Sequence, residues 1–163
     1  MRAALEQLRN KNNLIGAEIG VYYGDTASDY LGILDIKKVY LIDPYVIHPR
    51  YSEQIMKESE EEAHAKLDIY KDKIEWVRTT SAKAVDMFNE SSLDFVYIDG
   101  DHSYKFIQED ITLYYPKVKK GGLFSGHDYR SYAPGVIAAV NEFCKKNSLD
   151  LHRGGQMDWW IWK

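Results

Sequence analysis

The sequence predicts an α/β domain: a doubly wound, mostly parallel sheet of seven strands ending in an antiparallel hairpin. Three observations predict it. Short apolar runs alternate with longer amphipathic stretches along the whole chain, and most of the apolar runs end abruptly at a glycine or an acid. The chain then closes on LDLHRGGQMDWWIWK, where two strand-like stretches flank Arg-Gly-Gly with no helical pattern between them. Alternation of this kind calls for parallel strands joined by helical crossovers on both faces of the sheet, and the ending calls for a hairpin.

Each element follows in order. LIGAEIG (14–20) reads as the first strand and DTASDYLGIL (25–34) as a helix capped by Asp25 or Thr26. KVYLID (38–43) is the second strand, and SEQIMKESEEEAHAKLDIY (52–70) a helix whose glutamate run is a solvated face. IEWVRT (74–79), DFVYID (94–99) and GLFSG (122–126) are three more strands, separated by helices at about 81–88 and 103–115. The second of these starts at Ser103 and stops at Pro116. APGVIAAVNEFCKKN (133–147) is the last helix, with Pro134 in its first turn.

The 163 residues suit a single domain, 1–163, that buries roughly 70% of its unfolded surface. A net charge of −4 argues against a nucleic-acid binder that works by neutralising phosphates. Cys144 is the single cysteine, which excludes an internal disulfide and any cysteine-cluster metal site. Its helical context predicts a structural thiol. The first residues are too polar for a signal peptide and no apolar run is long enough for a membrane span, so a reducing, cytoplasmic setting is expected.

A sheet of this kind binds ligands beyond the carboxyl ends of its strands. Residues 22–25, Asp43, Thr80 and Ser81, 99–102, and His127 with Asp128 should therefore share one crevice. After the first strand, EIGVYYGDT spaces Glu18, Gly20 and Gly24 as Glu-x-Gly-x-x-x-Gly, with Thr26 following. The glycines permit a sharp turn and close approach of a ligand, although turning alone would also account for them. The spacing is not the Gly-x-Gly-x-x-Gly of dinucleotide binders, which disfavours a nicotinamide-dependent dehydrogenase. Asp43, at the tip of the second strand, is placed to accept two hydrogen bonds from a ribose diol, or simply opens a loop. DFVYIDGDHSY and GGLFSGHDY then each drive an apolar run into acids and histidines.

Taken in order, AEIGVYYGDT, VYLIDPY, VRTTSAKA, LDFVYIDGDHSY and VKKGGLFSGHDY resemble the class I S-adenosylmethionine-dependent methyltransferases, over roughly residues 12 to 163. The resemblance implies a Rossmann-like fold and a single domain that moves a methyl group from S-adenosylmethionine to a small polar acceptor, expected to be a hydroxyl. It places the methionine part of the cofactor on Glu18, Gly20, Tyr22, Gly24 and Thr26, the ribose on Asp43 and the adenine beside Ser81. IDGDHSY with GHDY is further similar to the macrocin-type sugar O-methyltransferases and, more loosely, to catechol-type enzymes. By that likeness Asp99 and Asp128 match ligands of a divalent cation, magnesium or manganese, and Asp101 the general base. Asp99 also borders the cofactor site. His127 stands where the macrocin type has another acid, and an imidazole there would favour manganese, iron or zinc over magnesium. His102 either serves catalysis, stacks near the adenine or closes its loop.

Simpler readings stand beside these. Asp101 and His102 would cap the helix at Ser103, and Asp128 would start a turn. The rival functions are a metal-independent N- or C-methyltransferase and a non-catalytic cofactor-binding subunit. The expected partners are a small-molecule acceptor and, for an acceptor site that is not simply open, a second copy of the chain; nucleic acid and membrane are not expected.

Overall fold

The computed structural model describes residues 1–47, 51–155 and 157–163. Its elements are α1 (Ala3–Glu6), β1 (Leu14–Ile19), α2 (Asp25–Leu31), β2 (Ile36–Ile42), α3 (Glu53–Leu67), β3 (Ile74–Val77), α4 (Ser81–Ala84), β4 (Leu93–Ile98), α5 (Tyr104–Tyr114), β5 (Val118–Gly126), α6 (Pro134–Asn147), β6 (His152–Gly154) and β7 (Asp158–Trp162). The strands form one seven-stranded sheet in the order β3-β2-β1-β4-β5-β7-β6. Strands β1 to β5 pair in parallel, and β7 runs antiparallel to both of its neighbours. This is the Rossmann-like sheet with a terminal antiparallel hairpin that the alternation predicts.

Burial on both faces explains why the strands read as continuous apolar runs. In β4, Val96 and Ile98 face a core shared with α4, α5 and α6, while Phe95 and Tyr97 face one shared with α1, α2 and α3. The order of the strands reverses between β1 and β4, which opens a crevice at their carboxyl ends. Among the described residues no helix is long and apolar enough to cross a membrane. Cys144 is buried within α6, and burial pushes its thiol up to about 11, in keeping with a structural role.

Three elements differ from expectation. The helix expected at 81–88 is one α-helical turn followed by a 3-10 turn over Val85–Met87. β5 begins at Val118, ahead of its apolar stretch, because Val118 already pairs with Leu93 of β4 before the register shifts to Phe95 and Leu123. Arg153 and Gly154, expected in the hairpin turn, instead pair with Trp159 and Asp158.

α1 was not foreseen. It docks through buried Ala4 and Leu5, and the Ala4 N–H donates to Asp158 Oδ2 at 2.9 Å.

Candidate active site

The crevice at the strand ends has a volume of about 550 Å³ and is lined by the ends of β1 and β2 and by the segments that follow each of β1 to β4. The loop after β1 fixes one wall. Gly20 (φ +86°) leaves the strand where the chain presses on β4: a Cβ there would sit 2.3 Å from the Asp99 carbonyl oxygen. Gly24 (φ +73°) turns the chain into α2. Tyr22 between them also has positive φ, and its ring meets Tyr23 and Tyr51 with centroids 4.4 and 5.0 Å apart.

Asp43 holds this loop from β2. Its Oδ2 accepts the Val21 and Tyr22 N–H groups at 2.9 and 3.1 Å, and Oδ1 accepts that of Tyr45 at 2.9 Å. A carboxylate has about four acceptor positions, so Oδ1 retains one for a ligand hydroxyl. The sequence led us to expect two.

Glu18 points from β1 into the floor. It is 1% exposed, and burial pushes its carboxyl up to about 8 even though Tyr30 donates to it at 2.8 Å. Thr26, on α2, accepts from Arg2 Nε at 3.2 Å. At the far end the Ser81 hydroxyl donates to Asp110, which burial pushes up to about 6. Asp110 lies on α5 between Ile107 and Ile111, on that helix's buried side.

The two acid-and-histidine strand ends do meet. The ladder sets Ile98 against Gly126, and the His127 N–H donates to the Ile98 carbonyl at 2.9 Å. Asp99 and Asp128 therefore face one point, with Asp128 turned inward by a positive φ of 57°. His102 Nε2 lies 2.8 Å from Asp128 Oδ2 and 3.9 Å from Asp99 Oδ1. Burial raises the Asp128 pKa, but hydrogen bonds from His102, His127 and Tyr132 outweigh it and hold the carboxyl well below the usual range.

Asp99, His102 and Asp128 each offer a ligand atom, all within 4.8 Å of one another. Two carboxylates and an imidazole form a donor set suited to a divalent transition metal such as manganese.

His127 lies at the edge of this cluster. Its Nδ1 is 3.6 Å from Asp99 and 3.4 Å from Asp128, and its Nε2 is 2.6 Å from Arg2 Nη1. Burial favours the neutral ring, whereas hydrogen bonds to Asp128 and Asp99 push its pKa up to about 9. The Arg2 contact decides the tautomer. A guanidinium only donates, so this contact opposes protonation of the ring: Nε2 can accept from Arg2 only while the imidazole is neutral with its proton on Nδ1. Asp101 lines the crevice next to these groups, and its Oδ1 accepts the Ser103 N–H at 2.7 Å at the start of α5.

Sequence reasoning missed Arg2, Asp110 and Tyr132. Asp110 had a signal in its place among the apolar positions of α5. Tyr132, which donates to Asp128, had none beyond lying four residues along.

A glycine-turned loop, a strand-tip acid and an acidic cluster around one crevice define a class I methyltransferase architecture, and comparison with known proteins agrees. A family model described as "Methyltransferase domain" matches residues 17–129. The chain belongs to that family. Uncharacterized protein R132 of Acanthamoeba polyphaga mimivirus is 31% identical over 147 residues, covering 85% of this chain; the chain spans 64% of that relative's length. SMU.1697c of Streptococcus mutans, assigned as a methyltransferase and solved with S-adenosylhomocysteine, superposes with a TM-score of 0.69 at 14% identity, covering 97% of this chain and 92% of its own. CalS11, a TDP-rhamnose 3′-O-methyltransferase of calicheamicin biosynthesis, gives 0.65 at 14% identity, covering 97% and 75%.

Proposed function

We propose that this chain transfers the methyl group of S-adenosylmethionine to a hydroxyl of a small polar molecule, assisted by a divalent cation. The observation that carries the reading is the meeting of Asp128 with Asp99 and His102, two residues that line the same crevice as the loop after β1. The residues fit both groups. Gly20 turns the chain against Asp99 and Gly24 turns it against α3, which brings the loop's backbone to the crevice wall; Asp43 retains an acceptor for a ribose hydroxyl, and Ser81 with Asp110 offers polar atoms to a base edge. The cofactor supplies a methyl group on a sulfonium, and a cation held by Asp99, His102 and Asp128 would supply polarisation of the acceptor oxygen.

The rest falls to the chain's own side chains. Asp101 takes the acceptor's proton through its carboxylate, since transfer to a sulfonium is mainly a matter of positioning and of making the oxygen nucleophilic. Tyr22 and Tyr51 wall the loop side and exclude water. His127 stays at the cluster's edge, tied to Arg2, so His102 takes the third ligand place. The family match supports methyl transfer, and the likeness to CalS11 is in keeping with a hydroxyl acceptor.

A metal-free methyltransferase has one observation in its favour: His102 and Asp128 already pair at 2.8 Å. Titrating Mn²⁺ calorimetrically in the presence of S-adenosylhomocysteine separates the two. The wild type should bind one ion. Asp128→Asn should weaken it by at least about 100-fold, beyond the cost of an outer-shell change. Its affinity for S-adenosylhomocysteine should stay within about twofold, as expected for separate sites. A wild type that takes up no manganese would leave the metal-free reading.

A further inference from the structure

The geometry points to Arg2 as the residue that selects a carboxylate-bearing S-adenosyl ligand over one without a carboxylate. This rests on the reading that the crevice holds S-adenosylmethionine. Arg2 lies outside the stretch that matches the family model, and no motif of the sequence marks it.

Its position is fixed. Arg2 is the N-cap of α1, which is anchored by buried Ala4 and Leu5 and by the bond from Ala4 N–H to Asp158. From there the guanidinium reaches α2 and the segments that follow β4 and β5. Nε donates to Thr26 Oγ1 at 3.2 Å, Nη1 to His127 Nε2 at 2.6 Å, and Nη2 lies 3.4 Å from Asp99 Oδ2. A guanidinium has five N–H groups, so these three contacts leave two.

The charge around it is one-sided. Among the described residues Arg2 is the one Lys or Arg lining the crevice, and the other charged residues there are acids, Asp99, Asp101 and Asp43 among them. The ammonium and sulfonium of S-adenosylmethionine are welcome in such surroundings. Its carboxylate is not, because a buried charge needs a partner and like charges repel. Arg2 is the group that can pair with it, through the planar fork that suits a carboxylate. Its contacts are with Thr26, at the start of α2 behind the β1 loop, and with His127 and Asp99; none is with Ser81 or Asp110, where the base would lie. An S-adenosyl ligand that keeps the ammonium but lacks the carboxylate gains nothing from Arg2.

The test compares two ligands by calorimetry: S-adenosylhomocysteine and its decarboxylated analogue, 5′-S-(3-aminopropyl)-5′-thioadenosine. The wild type should prefer the first. Arg2→Met, which keeps an apolar stem to fill the space, should weaken S-adenosylhomocysteine roughly 10- to 100-fold, the scale of hydrogen bonds to a charged group, and leave the analogue nearly unchanged. Arg2→Lys should restore part of the loss. If Arg2→Met binds S-adenosylhomocysteine like the wild type, or loses both ligands equally, Arg2 does not select the carboxylate. A wild type that binds neither ligand overturns the functional reading itself, and this assignment with it.

Discussion

Removing residues 158–163 is expected to unfold the protein. β7 lies inside the sheet, paired with β5 on one side and β6 on the other. Trp159 and Ile161 are 0% and 1% exposed and complete the core under α5 and α6. Truncating one such side chain to alanine costs about 2–5 kcal/mol, against a total stability of about 5–15 kcal/mol for a domain. The deletion removes both, strips the ladder from β5 and β6, and takes away Asp158. That carboxylate accepts the Ala4 N–H at 2.9 Å and the Tyr97 hydroxyl at 3.1 Å, so α1 loses its anchor as well. Circular dichroism and size exclusion should show an unfolded or aggregated chain. A soluble monomer with a native melting transition would mean that the tryptophan-rich end is an appendage.

The second large effect is on rate. Asp101→Asn should lower kcat by about 10²–10⁴-fold, the usual cost of removing a general base. Asparagine is the informative choice because its side-chain oxygen can still accept the Ser103 N–H that Asp101 holds at 2.7 Å. The start of α5 is preserved and only basicity is lost. Turnover would be followed as S-adenosylhomocysteine release across a panel of small diols and phenols, with manganese affinity measured alongside. A variant that keeps the wild-type kcat would reduce Asp101 to a helix cap.

Much of this architecture could be read from the chain because its signals are local. Phe95 to Ile98 form an unbroken apolar run, which in an alternating pattern means a strand buried on both faces, and the polar residue that ends such a strand must lie at the sheet's carboxyl edge. That places Asp99 near Asp128 before any coordinates are known. The turn at Gly20 was legible for the same reason.

What the sequence hid depends on orientation or distance along the chain. That His102 as well as His127 meets the two acids depends on the left-handed backbone at Asp128 and on where the start of α5 sets His102. Asp43 shows nothing in sequence of the three backbone N–H groups it gathers, because those depend on positive φ at Tyr22 and Tyr45, which are not glycines. Arg2 is separated from His127 by 125 positions. α1 is too short for periodicity to announce it, although Ala4, Leu5 and Leu8 have helical spacing and are all buried.

The central claim is that the crevice between the β1 loop, Asp43 and the Asp99–Asp128 cluster binds an S-adenosyl ligand. Calorimetric titration of S-adenosylhomocysteine tests it most directly. One molecule should bind per chain, with an affinity lowered about 10- to 150-fold in a folded Asp43→Ala variant, the scale of hydrogen bonds involving a charged group. A wild-type protein that gives no binding heat and no shift in melting temperature at millimolar ligand would contradict it.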